Sequence, residues 1–343
     1  MSIKQVRVGS LVFGGEEIHI QSMLNISPDD IDGNIRQAKA LEQAGCAVIR
    51  AAVPTATDAR LIAALKENLA APIVADIHFD YRIAIEAAHA GADKLRLNPG
   101  NIGADHIKEV ASLCLDKHIA IRAGVNGGSL EKTILAKHGA PTAEALAESA
   151  MNAAALLEQA DFFDIVLSVK SSDVLTTIKT YRILSKISPY PLHVGVTEAG
   201  VGNAALIKSA VGIGSLLADG IGDTIRVSLT GDPIAEVYAA KDILTAVGRG
   251  DSPEVISCPT CGRTRINVAK LAERVQSALR HKRGRIVVAV MGCAVNGPGE
   301  ASRADIGVAG GDHEWLLFKK GEIVGKIAEE NAFDVLMKEI DNI

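Results

Sequence analysis

Three of the chain's five cysteines fall in its last quarter: Cys258 and Cys261, in Cys258-Pro259-Thr260-Cys261, and Cys293, in Met291-Gly-Cys-Ala-Val-Asn-Gly-Pro-Gly-Glu300. A Gly or a Pro adjoins each of them, and such residues let a backbone wrap closely around a bound object. A two-residue spacing brings both sulfurs of the Cys-x-x-Cys pair onto one metal or cluster. Zinc competes for such a half-site, but a structural zinc normally closes its shell with a second pair. Three thiols with a nearby carboxylate, Glu300, suit an iron–sulfur cluster with one weak oxygen ligand, and ligand preference favours that reading over zinc. Cys46 and Cys114 read as small buried hydrophobes.

A second set of reactive side chains recurs where short β-branched runs end. In chain order these are Gln21 and Met23, Arg50, Asp76 and His78, Arg96 and Asn98, Arg122 and Asn126, Ser168 and Lys170, His193, Thr197 and Glu198, Arg226 and Ser228. Four arginines on one rim repel each other unless an anion lies between them, and guanidinium forks pair bidentately with phosphate oxygens. A diphosphate ligand is the simplest reading. The glycines of Val211-Gly-Ile-Gly214 and of Gly127-Gly128-Ser129 are candidate backbone N–H donors to it. The bland alternative pairs each arginine with a rim carboxylate. Asp76 and His78 share one strand face and suit hydrogen bonding better than a metal site. Glu198 is either salt-bridged or a proton donor near the reacting carbons. Lys170 is a phosphate ligand, a Schiff-base nucleophile or a paired structural lysine.

The elements that must position these residues alternate regularly. Strands are expected near Ile18–Met23, Ala47–Ala52, Ile73–His78, Asp93–Asn98, Ile119–Val125, Phe163–Val169, Leu192–Val196 and Asp223–Leu229. Helices are expected near 31–44, 58–69, 81–90, 103–117, 142–160, 173–187, 202–218 and 233–247. Eight βα units predict a closed (β/α)8 TIM barrel, an α/β fold with its chemistry at the C-terminal strand ends. Val6–Phe13 reads as a hairpin capping the barrel floor. Residues 248–253 form a turn-rich linker, so the expected domains are a barrel over 1–250 and a small α+β domain over 251–343. In the latter a helix near 267–280, strands at Arg285–Met291 and Asp305–Ala309, a hairpin across Lys320-Gly321 and a final helix near 329–341 are expected.

Composition sets outer limits. The chain has 343 residues, 48% hydrophobic and 3% aromatic, so its core must be aliphatic, as packed α/β interiors are. A net charge of −5 gives no basic field for nucleic acid or membrane surfaces. The N-terminus lacks the apolar core of a signal peptide and no apolar run reaches spanning length, so a cytoplasmic protein is expected. In that compartment a Cys-x-x-Cys pair binds metal or does redox work.

The segments Gln21-Ser-Met23, Ala75-Asp-Ile-His-Phe79, Lys94-Leu-Arg-Leu-Asn-Pro-Gly-Asn101, Ile121-Arg-Ala-Gly-Val-Asn-Gly-Gly-Ser-Leu130 and Gly222-Asp-Thr-Ile-Arg-Val-Ser228 occur together with Ser257-Cys-Pro-Thr-Cys-Gly-Arg263 and Gly292-Cys-Ala-Val-Asn-Gly-Pro-Gly-Glu300. Together they resemble the 4-hydroxy-3-methylbut-2-en-1-yl diphosphate synthase family, in its compact two-domain bacterial form, over essentially the whole chain. The resemblance implies a [4Fe–4S] cluster on Cys258, Cys261, Cys293 and Glu300. It also implies reductive ring opening of 2-C-methyl-D-erythritol 2,4-cyclodiphosphate by two one-electron transfers, within non-mevalonate isoprenoid synthesis. By motif, Arg50, Arg96, Arg122, Asn126, Lys170 and Ser228 would hold the diphosphate, Asp76 and Met23 would line the pocket, and Glu198 would supply a proton or orient the departing hydroxyl. The barrel would be similar to that of dihydropteroate synthase, the chain a homodimer, and the electron donor reduced flavodoxin or ferredoxin. Two rival readings leave the electrons out: a barrel lyase with a Lys170 Schiff base and structural zinc, and a cluster protein that only senses oxygen or redox state.

Overall fold

The computed structural model describes residues 4–78, 80–264, 266–282, 284–293, 299 and 301–343. Two compact units meet in sequence between Arg249 and Gly250. The first begins with a hairpin of β1 (Val6–Val8) and β2 (Leu11–Phe13). Eight strands follow: β3 (His19–Met23), β4 (Val48–Ala52), β5 (Ile73–Asp76), β6 (Lys94–Leu97), β7 (Ala120–Asn126), β8 (Ile165–Lys170), β9 (His193–Val194) and β10 (Thr224–Ile225). All pair in parallel, in the order β8-β7-β6-β5-β4-β3-β10-β9. A parallel bridge from Leu167 to Leu192 and a 2.9 Å hydrogen bond from Leu167 N to Pro191 O close β8 onto β9. The sheet is therefore a barrel with no free edge.

Helices connect the strands as the periodicity requires, among them Ile31–Ala44, Ala143–Glu158 and Gly202–Ala218. Asp30, Thr142, Asp173 and Asp232 each accept a hydrogen bond from a first-turn N–H, which fixes where their helices begin. Two short helices, Pro99–Ile102 and Lys132–His138, add to the loops after β6 and β7. The floor is sealed by the hairpin: Val6, Val8 and Phe13 pack against Val48, Val74, Ala120 and Val166 from the barrel strands.

Two barrel strands are shorter than their sequence predicts. β9 and β10 have two residues each because their chains leave the ladder early. At Gly195 a Cβ would stand 2.7 Å from the Arg226 carbonyl oxygen, so the two backbones touch without pairing. Side chains satisfy the freed groups. The Tyr181 hydroxyl accepts from Val169 N at 3.0 Å and reaches His193 O at 2.5 Å, while Glu236 Oε1 accepts from Leu229 N at 3.0 Å.

The second unit is a five-stranded sheet in the order β11 (Glu254–Ser257), β12 (Val287–Met291), β13 (Ile306–Gly310), β14 (Glu314–Lys319) and β15 (Glu322–Ala328), its first three strands parallel. Val288, Val290, Ile306 and Val308 pack under the helices Val268–Leu279 and Ala332–Asp341. The β14–β15 turn uses Lys320 and Gly321, both at positive φ (47° and 83°), as a two-residue hairpin requires. β11 was not expected: the four residues after the 248–253 linker carry no strand signal of their own, and only pairing with β12 reveals them as a strand. Among the described residues no helix is long and apolar enough to cross a membrane.

Candidate active site

Alternation along each strand sends every second residue into the barrel. Above the apolar floor this puts Lys94 and Arg96 of β6, Arg122 of β7, Arg50 of β4, Asp76 of β5 and Ser168 of β8 inside, all buried. Asp76 is the hub. Its carboxylate accepts from Arg50 Nη2 at 2.6 Å and from Arg96 Nη1 at 3.3 Å, and His78 Nε2 stands 3.4 Å away. Burial alone would raise the Asp76 carboxyl. The Arg50 charge, the His78 hydrogen bond and Arg96 outweigh it and hold the group far below the ordinary carboxylate range. With both oxygens taken by guanidinium groups, Asp76 is an arginine clamp rather than half a metal site.

Arg122 donates to Ser168 Oγ at 2.9 Å and is fully buried, beneath the mouth rather than on its rim. Arg226 reaches Glu236 Oε1 at 3.5 Å and Met23 Sδ at 3.8 Å. Glu236 also accepts from Ser22 Oγ at 2.9 Å. Six cationic side chains thus line one interior (Arg50, Lys94, Arg96, Arg122, Lys170 and Arg226) against two buried carboxylates, Asp76 and Glu236. Burial and then Arg50, Arg122, Arg226 and Arg96 press the half-buried Lys170 ammonium well below its ordinary value. An anion would relieve all of these at once.

A cavity of about 650 Å³ opens at this end, lined by Arg50, His78, Arg96, Asn126, Lys170 and Glu198, with Gly127 and Gly128 among its backbone walls. Gly127–Ser129 forms a single 3-10 turn at the lip. The other glycine pair is a correction: Gly212 and Gly214 lie inside the helix Gly202–Ala218, and Gly212 lets that helix press on Val196, where a Cβ would come within 2.5 Å. Glu198 is exposed, forms no ion pair among the described residues and sits at φ 53°, an unusual backbone state for a residue with a side chain. Thr197 beside it lines the same cavity, and Ser228 is half-buried just beyond β10. A cavity of similar size, about 640 Å³, lies at the opposite strand ends; of its carboxylates, Asp93 and Asp164, the first is already held by Lys66 at 2.7 Å.

In the second unit Cys258 directly follows β11, and Cys293 follows β12 by two residues. These strands are parallel neighbours (Ser257 opposite Val290), so both thiols emerge from the same edge of the sheet. Gly292 N donates to Cys258 Sγ at 3.0 Å, and a Cβ on Gly292 would stand 3.3 Å from that sulfur. Backbone and side-chain hydrogen bonds from Arg263 hold the exposed Cys261 thiol below its usual value. Thiolate-favouring N–H donors and a close glycine are the surroundings that a sulfur-ligated cluster needs. Among the described residues the three thiols are not drawn into one cage, and Glu300 lies outside those residues. Cys46 and Cys114 are buried thiols pushed up to about 12 by desolvation, as inert core residues should be.

Sequence reasoning placed His193 at the mouth; it is fully buried at the start of β9, well below. Lys94 was missed, although its spacing of two from Arg96 already put both on one face. Glu236 was missed because nothing in its helix marks it. Gly124 was missed too: a Cβ there would stand 2.9 Å from Arg96 Nε, so the glycine makes the slot that this guanidinium fills.

Residues 3–241 match the GcpE TIM-barrel domain and residues 254–342 the GcpE protein C-terminal domain. A 4-hydroxy-3-methylbut-2-en-1-yl diphosphate synthase (flavodoxin) of Ruminiclostridium cellulolyticum is 51% identical over 99% of this chain and 97% of its own length. The protein of the same name from Clostridium acetobutylicum is 52% identical over 99% and 98%. Dihydropteroate synthase from Stenotrophomonas maltophilia shares the barrel alone, at 14% identity and a TM-score of 0.53, over 71% of this chain and 98% of its own. Type I 3-dehydroquinate dehydratase from Clostridium difficile does so at 13% and 0.53, over 71% and 97%. With both units matched and half of all positions identical to such relatives, the chain belongs to the GcpE family of 4-hydroxy-3-methylbut-2-en-1-yl diphosphate synthases.

Proposed function

We propose that this chain converts 2-C-methyl-D-erythritol 2,4-cyclodiphosphate to 4-hydroxy-3-methylbut-2-enyl diphosphate, with the cyclic diphosphate seated in the cavity at the C-terminal end of the barrel. The observation that carries the reading is the buried trio Arg50, Arg96 and Arg122, with Lys170 beside them and Asp76 as their near counter-charge. Arg50 and Arg96 are pre-oriented by Asp76, so their free N–H groups face the phosphates without reorganisation. Arg122, Lys170, Asn126 and Ser228 complete the grip, and Met23 packs by Arg226 at the wall. Glu198, exposed at the lip, delivers a proton to the departing oxygen.

The reaction takes two electrons and one proton into the cyclic dianion and releases water and the open diphosphate trianion. Amino-acid side chains do not supply such electrons. A [4Fe–4S] cluster on Cys258, Cys261, Cys293 and Glu300 would deliver them singly, and the Gly292 N–H to Cys258 suits that ligation. Reduced flavodoxin, named in the relatives' titles, or ferredoxin is the donor. The chain works in the cytoplasm as a homodimer. Protein purified without oxygen should be brown, contain iron and inorganic sulfide, and turn over the cyclodiphosphate with a reduced mediator. Stoichiometric zinc without sulfide would sink the reading.

A further inference from the structure

Beneath Arg50 and Arg96 lies a buried polar layer whose upper boundary is Arg122 and whose deeper members take no part in the proposed grip on the diphosphate. Lys94 Nζ, both ring nitrogens of His193, both amide atoms of Gln21, Thr224 Oγ1 and two nitrogens of Arg122 are buried with no hydrogen-bond partner among the described residues. Strand geometry stacks them together. Lys94 stands two residues before Arg96 on β6, one step deeper. His193 pairs with Thr224, and Thr224 with His19, across β9, β10 and β3. The floor is closed by Phe13, whose ring centre is 4.3 Å from Lys94 Nζ. Among the described residues no carboxylate belongs to this layer; Asp76, one step above, is engaged by Arg50 and Arg96. Arg122 and Arg50 face Lys94, and Arg122, Lys94, Lys170 and Arg50 face His193. His19 is anchored on Val12 O at 3.0 Å, and the Tyr181 hydroxyl meets His193 at its backbone carbonyl, not at the ring.

A buried amine and a buried imidazole with cations above them and no acid beside them hold a proton poorly. Burial first, and then those cations, push both groups well below their ordinary values. A dianion placed over the arginines offsets most of the positive field at this depth. We propose that Lys94 and His193 form a proton-accepting layer under the cup, which gains a proton when the cyclic diphosphate binds and so balances the charge that ring opening then increases. The proton is drawn from bulk solvent. The inference rests on the cup being the diphosphate site.

Calorimetry of the oxidised holoenzyme with 2-C-methyl-D-erythritol 2,4-cyclodiphosphate, without reductant, reads this directly. Each phosphate of the ligand carries a single acidic oxygen, so the ligand does not itself titrate between about pH 6.5 and 9. Heats in buffers of different ionisation enthalpy should show uptake of up to about one proton per ligand, with Kd weakening towards about tenfold per pH unit as pH rises. Lys94→Met combined with His193→Gln should flatten both, whereas Lys170→Gln should weaken binding yet keep the uptake. Binding without uptake overturns the layer and leaves the cup standing. Uptake lost in Lys170→Gln but kept in the double variant also overturns it, because the proton then sits among the phosphates. No binding at all overturns the cup and the layer together. Should the double variant fail to fold, the wild-type and Lys170→Gln series decide alone.

Discussion

Asp76 shows how much one side chain does in this barrel. Replacing it by Asn keeps the shape but leaves Arg50 and Arg96 buried without their counter-charge. Breaking such a pair from one side costs about 3–5 kcal/mol, so Asp76→Asn should lower the midpoint of chemical unfolding and lose most turnover. The pH dependence follows from the direction of its shift. A carboxyl depressed in the folded state adds stability above its unfolded value of about 4, and that stability fades as pH falls towards the folded value. The gap between wild type and Asp76→Asn should therefore be full at neutral pH and narrow steadily in acid; a gap that widens there would contradict the clamp. Glu198 is the opposite case, exposed and in a left-handed backbone state that costs about 1–3 kcal/mol. Glu198→Gly should raise unfolding free energy by about 1 kcal/mol while abolishing most turnover. Glu198→Gln should keep the strain and the cluster but lose turnover, and unchanged activity would remove its proton role.

Elements set these side chains by small clearances as much as by bonds. Gly124→Ala on β7 would crowd Arg96 Nε from 2.9 Å, turning the guanidinium off Asp76 and out of the cup. Affinity for the cyclodiphosphate should fall about tenfold, and the melting temperature should fall too, though less than in Asp76→Asn, because the Arg50–Asp76 pair stays intact. Gly195→Ala meets backbone instead, 2.7 Å from Arg226 O, and should destabilise the fold by about 1–3 kcal/mol. Neither glycine could be read from the chain alone, because a clearance exists only between strands distant in sequence. The same holds for Glu236, which bridges Ser22 and Leu229. Other elements were legible. The eight strand positions followed from the alternation with helical stretches, and the helices expected near 31–44 and 142–160 begin where Asp30 and Thr142 cap them. Strand ends were legible where a regular ladder runs, as in β4 and β5, and not in β9 and β10, where Gly195 and Tyr181 replace the ladder. Lys94 was hidden by expectation rather than by sequence, since a barrel interior is ordinarily apolar and its charge drew no attention below the rim.

At the scale of the whole molecule, each unit carries its own core, and the barrel's closure by the Leu167–Leu192 bridge and the hairpin leaves no unpaired edge. A chain ending at Arg249 should therefore fold alone in one cooperative transition. It keeps Arg50, Arg96, Arg122 and Lys170, so the cyclodiphosphate should still raise its melting temperature, to the extent that mass action on the folded state sets. It lacks Cys258, Cys261 and Cys293, so it should be colourless and show no turnover with any reduced mediator. Arg50→Met in the same fragment should remove the thermal shift without removing the fold's helical signal. On the proposed reading, that pairing separates binding, assigned to the barrel, from electron delivery, assigned to the cysteine unit. Turnover by residues 1–249 alone would mean that the electrons never needed the thiols, and a fragment stabilised equally with and without Arg50 would mean that the anion sits elsewhere.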